Sequence, residues 1–212
     1  MAYKTSNIIH GAAAIYFSTL SSVSAGWAGS VDTPAPVALT PFTTTMEGSS
    51  TSWKGAGYTQ DGVDVEYVPT FKDVDVDQLL DAALIFKTKQ TVTVKTTLKE
   101  GTLENLQIVW GMPDGALTGT DGAKQLALYE GVLGEQPVER SLVFIGPGPR
   151  TATNALTERV YNLRRVLQTQ SSAHMLKRDT ETIFPVSFRC LPDPRSSYTG
   201  KAYGTVQERT FS

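Results

Sequence analysis

The most regular pattern in the chain lies between Ala83 and Glu100, where basic or hydroxyl residues alternate with apolar ones. Lys and Thr fill the odd positions from Lys87 to Lys99. The even positions include Phe86, Val92, Val94 and Leu98. A period of two is typical of a β-strand with one face towards a core. We therefore predict a strand over residues 83–100 with one basic, hydroxylated face and one apolar face.

A second alternating stretch, GVDVEYVPTFKDVDVDQ at residues 62–78, places acids between valines on both sides of a proline. We predict a hairpin here, with a four-residue connection at residues 69–72. The apolar face would pair Val65 with Val76 and Tyr67 with Val74, and the other face would pair Glu66 with Asp75 and Asp64 with Asp77. Like charges directly opposite each other cost up to roughly 1 kcal/mol per pair. The predicted hairpin therefore needs an explanation.

Three explanations stay open from these residues alone. The acids are a hydrated outer face on which salt screens the repulsion. They meet the lysine face of a neighbouring strand or subunit, which gives charge complementarity. Or they line a passage for a polyanion such as DNA, which binds wherever it meets several Lys or Arg and slides past carboxylates.

The rest of the pattern favours a mainly β, α+β protein. A short amphipathic helix is predicted from Leu103, Leu106 and Trp110, with Gly111 as its terminator. Further strand candidates are residues 8–17, 125–129, 140–145, 160–167 and 183–191. The segment 160–167 also fits a helix. We expect a predominantly antiparallel β-sandwich or barrel-like fold with one flanking helix.

Composition limits the domain organisation. With 212 residues, 40% apolar residues, 18 Gly and 11 Pro, the chain has one sizeable core, so we predict a single domain over 1–212. Residues 18–52 are rich in Ser, Thr, Gly and Pro, which predicts an extended arm that orders against a partner. Residues 192–212 are predicted to be an extended C-terminal segment.

Charge and side-chain chemistry argue against several classes of protein. Lys plus Arg is 19 against 21 for Asp plus Glu, which is not the basic footprint of a nucleic-acid-binding domain. Cys190 is the only cysteine, and His10 and His174 are the only histidines, so a multi-histidine zinc site cannot form. No apolar run reaches the roughly 20 residues of a membrane span. We predict no membrane association.

The sequence also predicts no catalytic residues, no metal and no cofactor. Asp73, Asp75 and Asp77 match the first ligand positions of an EF-hand loop, but Gln78 replaces the required Gly and Leu84 stands where the bidentate Glu belongs. Nucleophile-elbow, phosphate-loop and dinucleotide motifs are missing. A pair of facing carboxylates acting as acid and base is the enzyme alternative.

Several blocks resemble the major tail tube protein of long-tailed (siphophage-type) bacteriophages. The block from Trp53 to Gln78, WKGAGYTQDGVDVEYVPTFKDVDVDQ, is similar to that family's Gly-rich segment and acidic strands. TVTVKTTLKEGTLENLQIVWG at 91–111 resembles its strand followed by a helix. GAAAIYF at 11–17, ERVYNLRR at 158–165 and TIFPVSFRCLPD at 182–193 are further matches. The resemblance leaves out the arm and the segment from Met112 to Pro137.

The resemblance implies a structural virion protein and not an enzyme. Six copies of such a subunit close into a ring, and rings stack into a tube that carries genomic DNA without sequence-specific binding. The implied partners are further copies of the chain, the tape-measure protein, and the tail terminator and tail tip proteins. The implied location is the virion tail, after assembly in the host cytoplasm. Alternatives are a capsid decoration protein and the tube protein of a bacterial secretion or contractile injection system.

Within this interpretation the charged residues have expected places. Lumen-facing or subunit-seam acids are expected at Asp64, Glu66, Asp73, Asp75 and Asp77. Inter-subunit basic residues are expected at Lys87, Lys89, Lys95 and Lys99, where they pair with acids or face ring interfaces.

Overall fold

The structure is a computed structural model that describes residues 9, 11, 13–21, 53–77, 80–120, 122–151, 153, 155–174, 176, 178–179, 181–193 and 200–210. Its strands are β1 (Ala14–Ser21), β2 (Trp53–Gly55), β3 (Thr59–Val74), β4 (Leu84–Leu98), β5 (Leu117–Thr118), β6 (Gln125–Leu126), β7 (Arg140–Pro147), β8 (Thr157–Gln168), β9 (Phe184–Leu191) and β10 (Gly204–Thr210). The helix α1 spans Leu103–Val109, and a 3₁₀ turn spans Asp114–Ala116. The protein is mainly β, as predicted.

Eight strands form one antiparallel sheet in the order β2-β1-β7-β8-β9-β4-β3, with β10 added on β8. The sheet branches at strand β8. One edge of β8 pairs with β7, and its other edge pairs with β10 over one part and with β9 over another. Residues 157–163 pair with β10, and residues 165–168 pair with β9. The other two strands, β5 and β6, form a separate small hairpin.

The sheet curls around its main core. Phe17 on β1 and Phe188 on β9 are three strand positions apart, yet their ring centroids are 5.3 Å apart. Val94 and Leu98 of β4 and Leu142 of β7 belong to the same buried cluster. The predicted apolar face of residues 83–100 therefore faces the core over its second half, as the alternation indicated.

Helix α1 flanks this core and contacts β9 and the β5–β6 hairpin. The hydroxyl of Thr102 caps its start by accepting from the Asn105 amide at 3.2 Å, and Gly111 follows its end with a φ of 63°. The predicted boundaries are confirmed. The predicted face is only partly correct, because Leu106 packs against the core but Trp110 is 37% exposed and Asn105 is buried.

Three predicted segments differ from the structure at their ends. Residues 18–21, assigned to the arm, complete strand β1, while residues 22–52 lie outside the described residues. Residues 204–210, predicted only as extended, form β10 and pair with β8. Residues 157–168 form a strand, so the helical alternative for this segment is wrong.

Candidate interaction surface

Strands β3 and β4 continue as a pair beyond the rest of the sheet. Strand β9 pairs with β4 only from Val92 to Leu98, whereas β3 stays paired with β4 out to the Val74–Leu84 pair. We call residues 67–74 and 84–91 the β3–β4 ribbon. Eight residues at a rise of about 3.3 Å give it a length of roughly 25 Å. In the described part of the chain, no third strand pairs with it.

Local sequence explains why the ribbon forms. Both strands are rich in Val and Thr, whose branched side chains suit a pleated sheet. Lys87 Nζ donates to Gln90 Oε1 at 2.7 Å and lies 3.4 Å from the Tyr67 hydroxyl across the pair. At a bulge in β4, the Thr88 hydroxyl donates to the Thr70 carbonyl at 3.2 Å. These cross-strand contacts stabilise the register of the ribbon.

Large apolar side chains of the ribbon are exposed to solvent. Phe71 is 57% exposed, Leu84 61% and Ile85 60%. The complete exposed apolar set of the ribbon is Tyr67, Val68, Phe71, Val74, Leu84, Ile85 and Phe86. Because side chains alternate along β3, Phe71 lies on one face of the ribbon and Val68 and Val74 lie on the other. The ribbon is therefore apolar on both faces.

The acidic hairpin predicted within residues 62–78 is wrong. Strand β3 runs through Pro69 without turning, and the chain reverses only after Val74. Val65 lies opposite Val94 and not Val76, and Tyr67 lies opposite Val92. The prediction treated Pro69 as a turn residue. Strand β3 is at the edge of the sheet, where a proline is tolerated.

The five predicted acids are therefore not stacked against one another. Asp64 lies opposite Lys95, and Glu66 lies opposite Thr93. Asp73 is on the opposite face of β3 from these two, given the alternation of side chains. Asp75 and Asp77 follow β3 in the connection to β4. The expected repulsion between facing carboxylates does not arise.

The four predicted lysines have different surroundings. Lys95 Nζ is 2.7 Å from Glu66 Oε2, and Lys99 Nζ is 2.6 Å from Glu181 Oε1. The hydrogen bond to Glu66 raises the pKa of Lys95 above its usual value. Lys87 contacts Gln90, and Lys89 lies opposite Thr70 on the ribbon. A role of these lysines between subunits stays a prediction.

An open cavity of about 310 Å³ lies beside the Glu66–Lys95 pair. It is lined by Asp61, Asp64 and Lys95, together with hydroxyl and amide groups of neighbouring strands. Asp61, with a φ of 61°, forms a bulge in β3. The cavity brings two carboxylates to one polar recess, and the acid–base alternative stays a prediction.

Sequence reasoning missed a second exposed apolar surface. The loop after β6 carries Leu128 at 68% exposure, Tyr129 at 56%, Val132 at 75% and Leu133 at 104%. The run LALYEGVLGE, with five large apolar residues, was the available signal, but its start was predicted as a strand over 125–129, which in the structure spans only Gln125–Leu126. We call residues 128–135 the apolar loop.

Comparison of the chain with known protein families and with curated proteins finds no match. Within the described ranges, no group of three or more His, Cys, Asp or Glu is arranged to hold a metal ion. Within the same ranges, no helix is long and apolar enough to cross a membrane. The function is therefore argued from the ribbon, the apolar loop and the sequence resemblance.

Proposed function

We propose that this protein is a structural virion protein that polymerises as stacked hexameric rings and forms the tail tube of a long-tailed bacteriophage. In this role it is the conduit through which genomic DNA passes into the host. It acts by fitting against copies of itself and not by catalysis.

The observation that carries the proposal is the β3–β4 ribbon. A two-stranded ribbon is marginally stable in water unless it packs on another surface. This ribbon exposes apolar side chains on both faces, and among the described residues no strand pairs with the outer edge of β3. Exposed apolar patches and free edges of this kind mark association sites. A second copy of the chain supplies a surface that is present wherever the protein is made.

The position of the resembling blocks in the fold also supports the proposal. The block at 91–111 forms the second half of β4 followed by α1, which is the strand and helix order that the resemblance implies. The block from Trp53 to Gln78 covers β2 and β3. The described strands form one curled antiparallel sheet and a small hairpin, which supports the mainly β class but not a subunit of two packed sheets.

In the proposed tube the predicted charges keep their assigned places. Asp64, Asp73, Asp75 and Asp77 face the lumen or subunit seams, and Lys87 and Lys89 face neighbouring subunits. Glu66 and Lys95 neutralise each other, which reduces the attraction of DNA to that lysine. The partners are the tape-measure, tail terminator and tail tip proteins. The assembled protein is located in the virion tail, after assembly in the host cytoplasm.

Negative-stain electron microscopy of the full chain, together with light scattering over a wide concentration range, tests the proposal. We expect rings or tubes of constant diameter. The double variant Phe71→Ser/Phe86→Ser should abolish them, because it removes apolar contacts from the ribbon. Leu176→Ser is the matched control, since Leu176 is 85% exposed and belongs to the connection between β8 and β9, not to the ribbon.

Other outcomes point to other classes of protein. A monodisperse trimer would favour the capsid decoration protein. A monodisperse monomer up to millimolar concentration would overturn self-assembly as the function. Tubes that form with unchanged yield in the Phe71→Ser/Phe86→Ser variant would overturn the role of the ribbon.

A further inference from the structure

The apolar loop is preorganised to present its side chains outwards. The Ala127 amide donates to the Ala116 carbonyl at 2.8 Å, which fixes the base of the loop. At its end the Val132 amide donates to Glu135 Oε2 at 3.0 Å, and the Glu135 amide donates to the Val132 carbonyl at 2.9 Å. A loop held in one conformation loses less entropy when it binds.

The apolar loop and the ribbon carry opposite charges around their apolar side chains. The loop has two exposed acids, Glu130 and Glu135. The ribbon has three exposed lysines, Lys72, Lys87 and Lys89, and one exposed acid, Asp73, so its charged side chains are positive on balance. Charge complementarity of this kind selects a partner surface and fixes its orientation.

The two surfaces do not cover each other within one chain. Leu133 of the loop and Leu84 of the ribbon both remain exposed in the same molecule. Two unlike surfaces that remain open on one subunit form a heterologous contact between copies, which continues into a ring or a filament. A contact between two identical ribbons would instead close at a dimer and bring their lysines together.

We propose that the apolar loop of one copy binds the β3–β4 ribbon of the next copy, with Glu130 and Glu135 beside the ribbon lysines. This inference rests on the proposed self-assembly and specifies which two surfaces meet. The occupant of the ribbon is thus residues 128–135 of a second identical chain.

Site-directed crosslinking tests the contact directly. Cys190 is buried at 2% exposure, so an introduced surface cysteine is the reactive thiol. A tagged Leu133→Cys chain is mixed with an untagged Phe86→Cys chain and treated with a short bismaleimide. We expect a tagged–untagged dimer. We expect no such product when Leu176→Cys replaces Phe86→Cys.

Charge reversal gives an independent readout. Glu130→Lys alone and Lys87→Glu alone should each weaken association roughly tenfold, and the combined variant should recover most of this loss. If rings or tubes form but neither the crosslink nor the recovery is seen, the loop–ribbon contact is wrong while self-assembly stands. If the chain remains monomeric under all conditions, both proposals are overturned.

Discussion

Glu104 is the residue whose replacement is expected to change the pH dependence of folding most clearly. It lies in the first turn of α1, and its Oε1 is 3.0 Å from Lys54 Nζ and 2.7 Å from Lys124 Nζ. These contacts connect the helix to β2 and to the segment before β6. Its side chain is 13% exposed. We predict that Glu104→Gln destabilises the protein at neutral pH and not at low pH.

The magnitude follows from the pKa of this carboxyl group. Partial burial by itself raises the pKa of Glu104, but hydrogen bonds from Lys124 and Lys54 outweigh burial and lower the pKa from 4.5 to about 2. This lowering of the pKa corresponds to a stabilisation of the folded protein of about 3 kcal/mol at most. Because both lysines are partly exposed, at 42% and 31%, solvent screening reduces the expected loss to about 1–2 kcal/mol.

The sign of the pH effect follows from the direction of the pKa change. The folded protein holds the Glu104 proton less tightly than the unfolded chain, so the stabilisation is fully present above pH 4.5. It disappears as the pH falls through the folded value of about 2. The free energies of unfolding of the unmodified protein and of Glu104→Gln should therefore converge as the pH falls from 4.5 to about 2.

Urea unfolding at several pH values, followed by tryptophan fluorescence, measures this convergence. Glu208→Gln is the matched control, because Glu208 also forms an ion pair, with Arg159, but its side chain is 47% exposed. The Glu208→Gln control should change the free energy of unfolding by less than about 1 kcal/mol. A Glu104→Gln effect that stays constant from pH 7 to the acid range would refute the electrostatic reasoning and leave only a packing effect.

Three further predictions concern the core and the helix. Asn105→Leu should lower the free energy of unfolding by about 2–4 kcal/mol in urea titrations. The reason is that the buried side-chain amide donates to the Ala56 and Glu100 carbonyls at 2.9 and 3.0 Å. An effect below about 0.5 kcal/mol would contradict this prediction. Thr102→Ala should cost about 1 kcal/mol through loss of the helix cap, whereas Thr102→Ser should restore it. Burial raises the pKa of Cys190 to about 12. Its thiol should therefore react with Ellman's reagent only as fast as the protein unfolds. Rapid labelling of the folded chain would contradict the burial of Cys190.

The local pattern of the sequence predicts much of the secondary structure. The alternation from residue 83 to residue 100 gives β4, and the helical spacing of Leu103, Leu106 and Trp110 before Gly111 gives α1 within one residue of its observed end. The helix face could not be predicted in the same way. Asn105 is buried because two carbonyls of other segments accept from its amide, and their position depends on the folded chain.

The candidate interaction surface shows how much follows from the residue pattern alone. The period of two fixes which side chains share a face of a strand between bulges, although the bulge at Thr88 places Lys87 on the Phe71 face, opposite to the face of Lys89 and Lys95. It also fixes that Lys87, Lys89 and Lys95 belong to β4. Their neighbours were not fixed by this pattern.

The partner and the register of β3 depend on the folded chain. A strand has the same alternation whether it pairs with the residues after Pro69 or with β4, so periodicity cannot choose between the two registers. The pairing with β4 places Val65, which is 41% exposed, opposite the buried Val94 and leaves β3 at the edge, where Pro69 fits. The same pairing brings Lys95 to Glu66 and extends the ribbon past β9. The apolar side chains of the ribbon are exposed because β9 stops pairing with β4 at Val92, before the ribbon begins. Where β9 stops is a property of the assembled sheet.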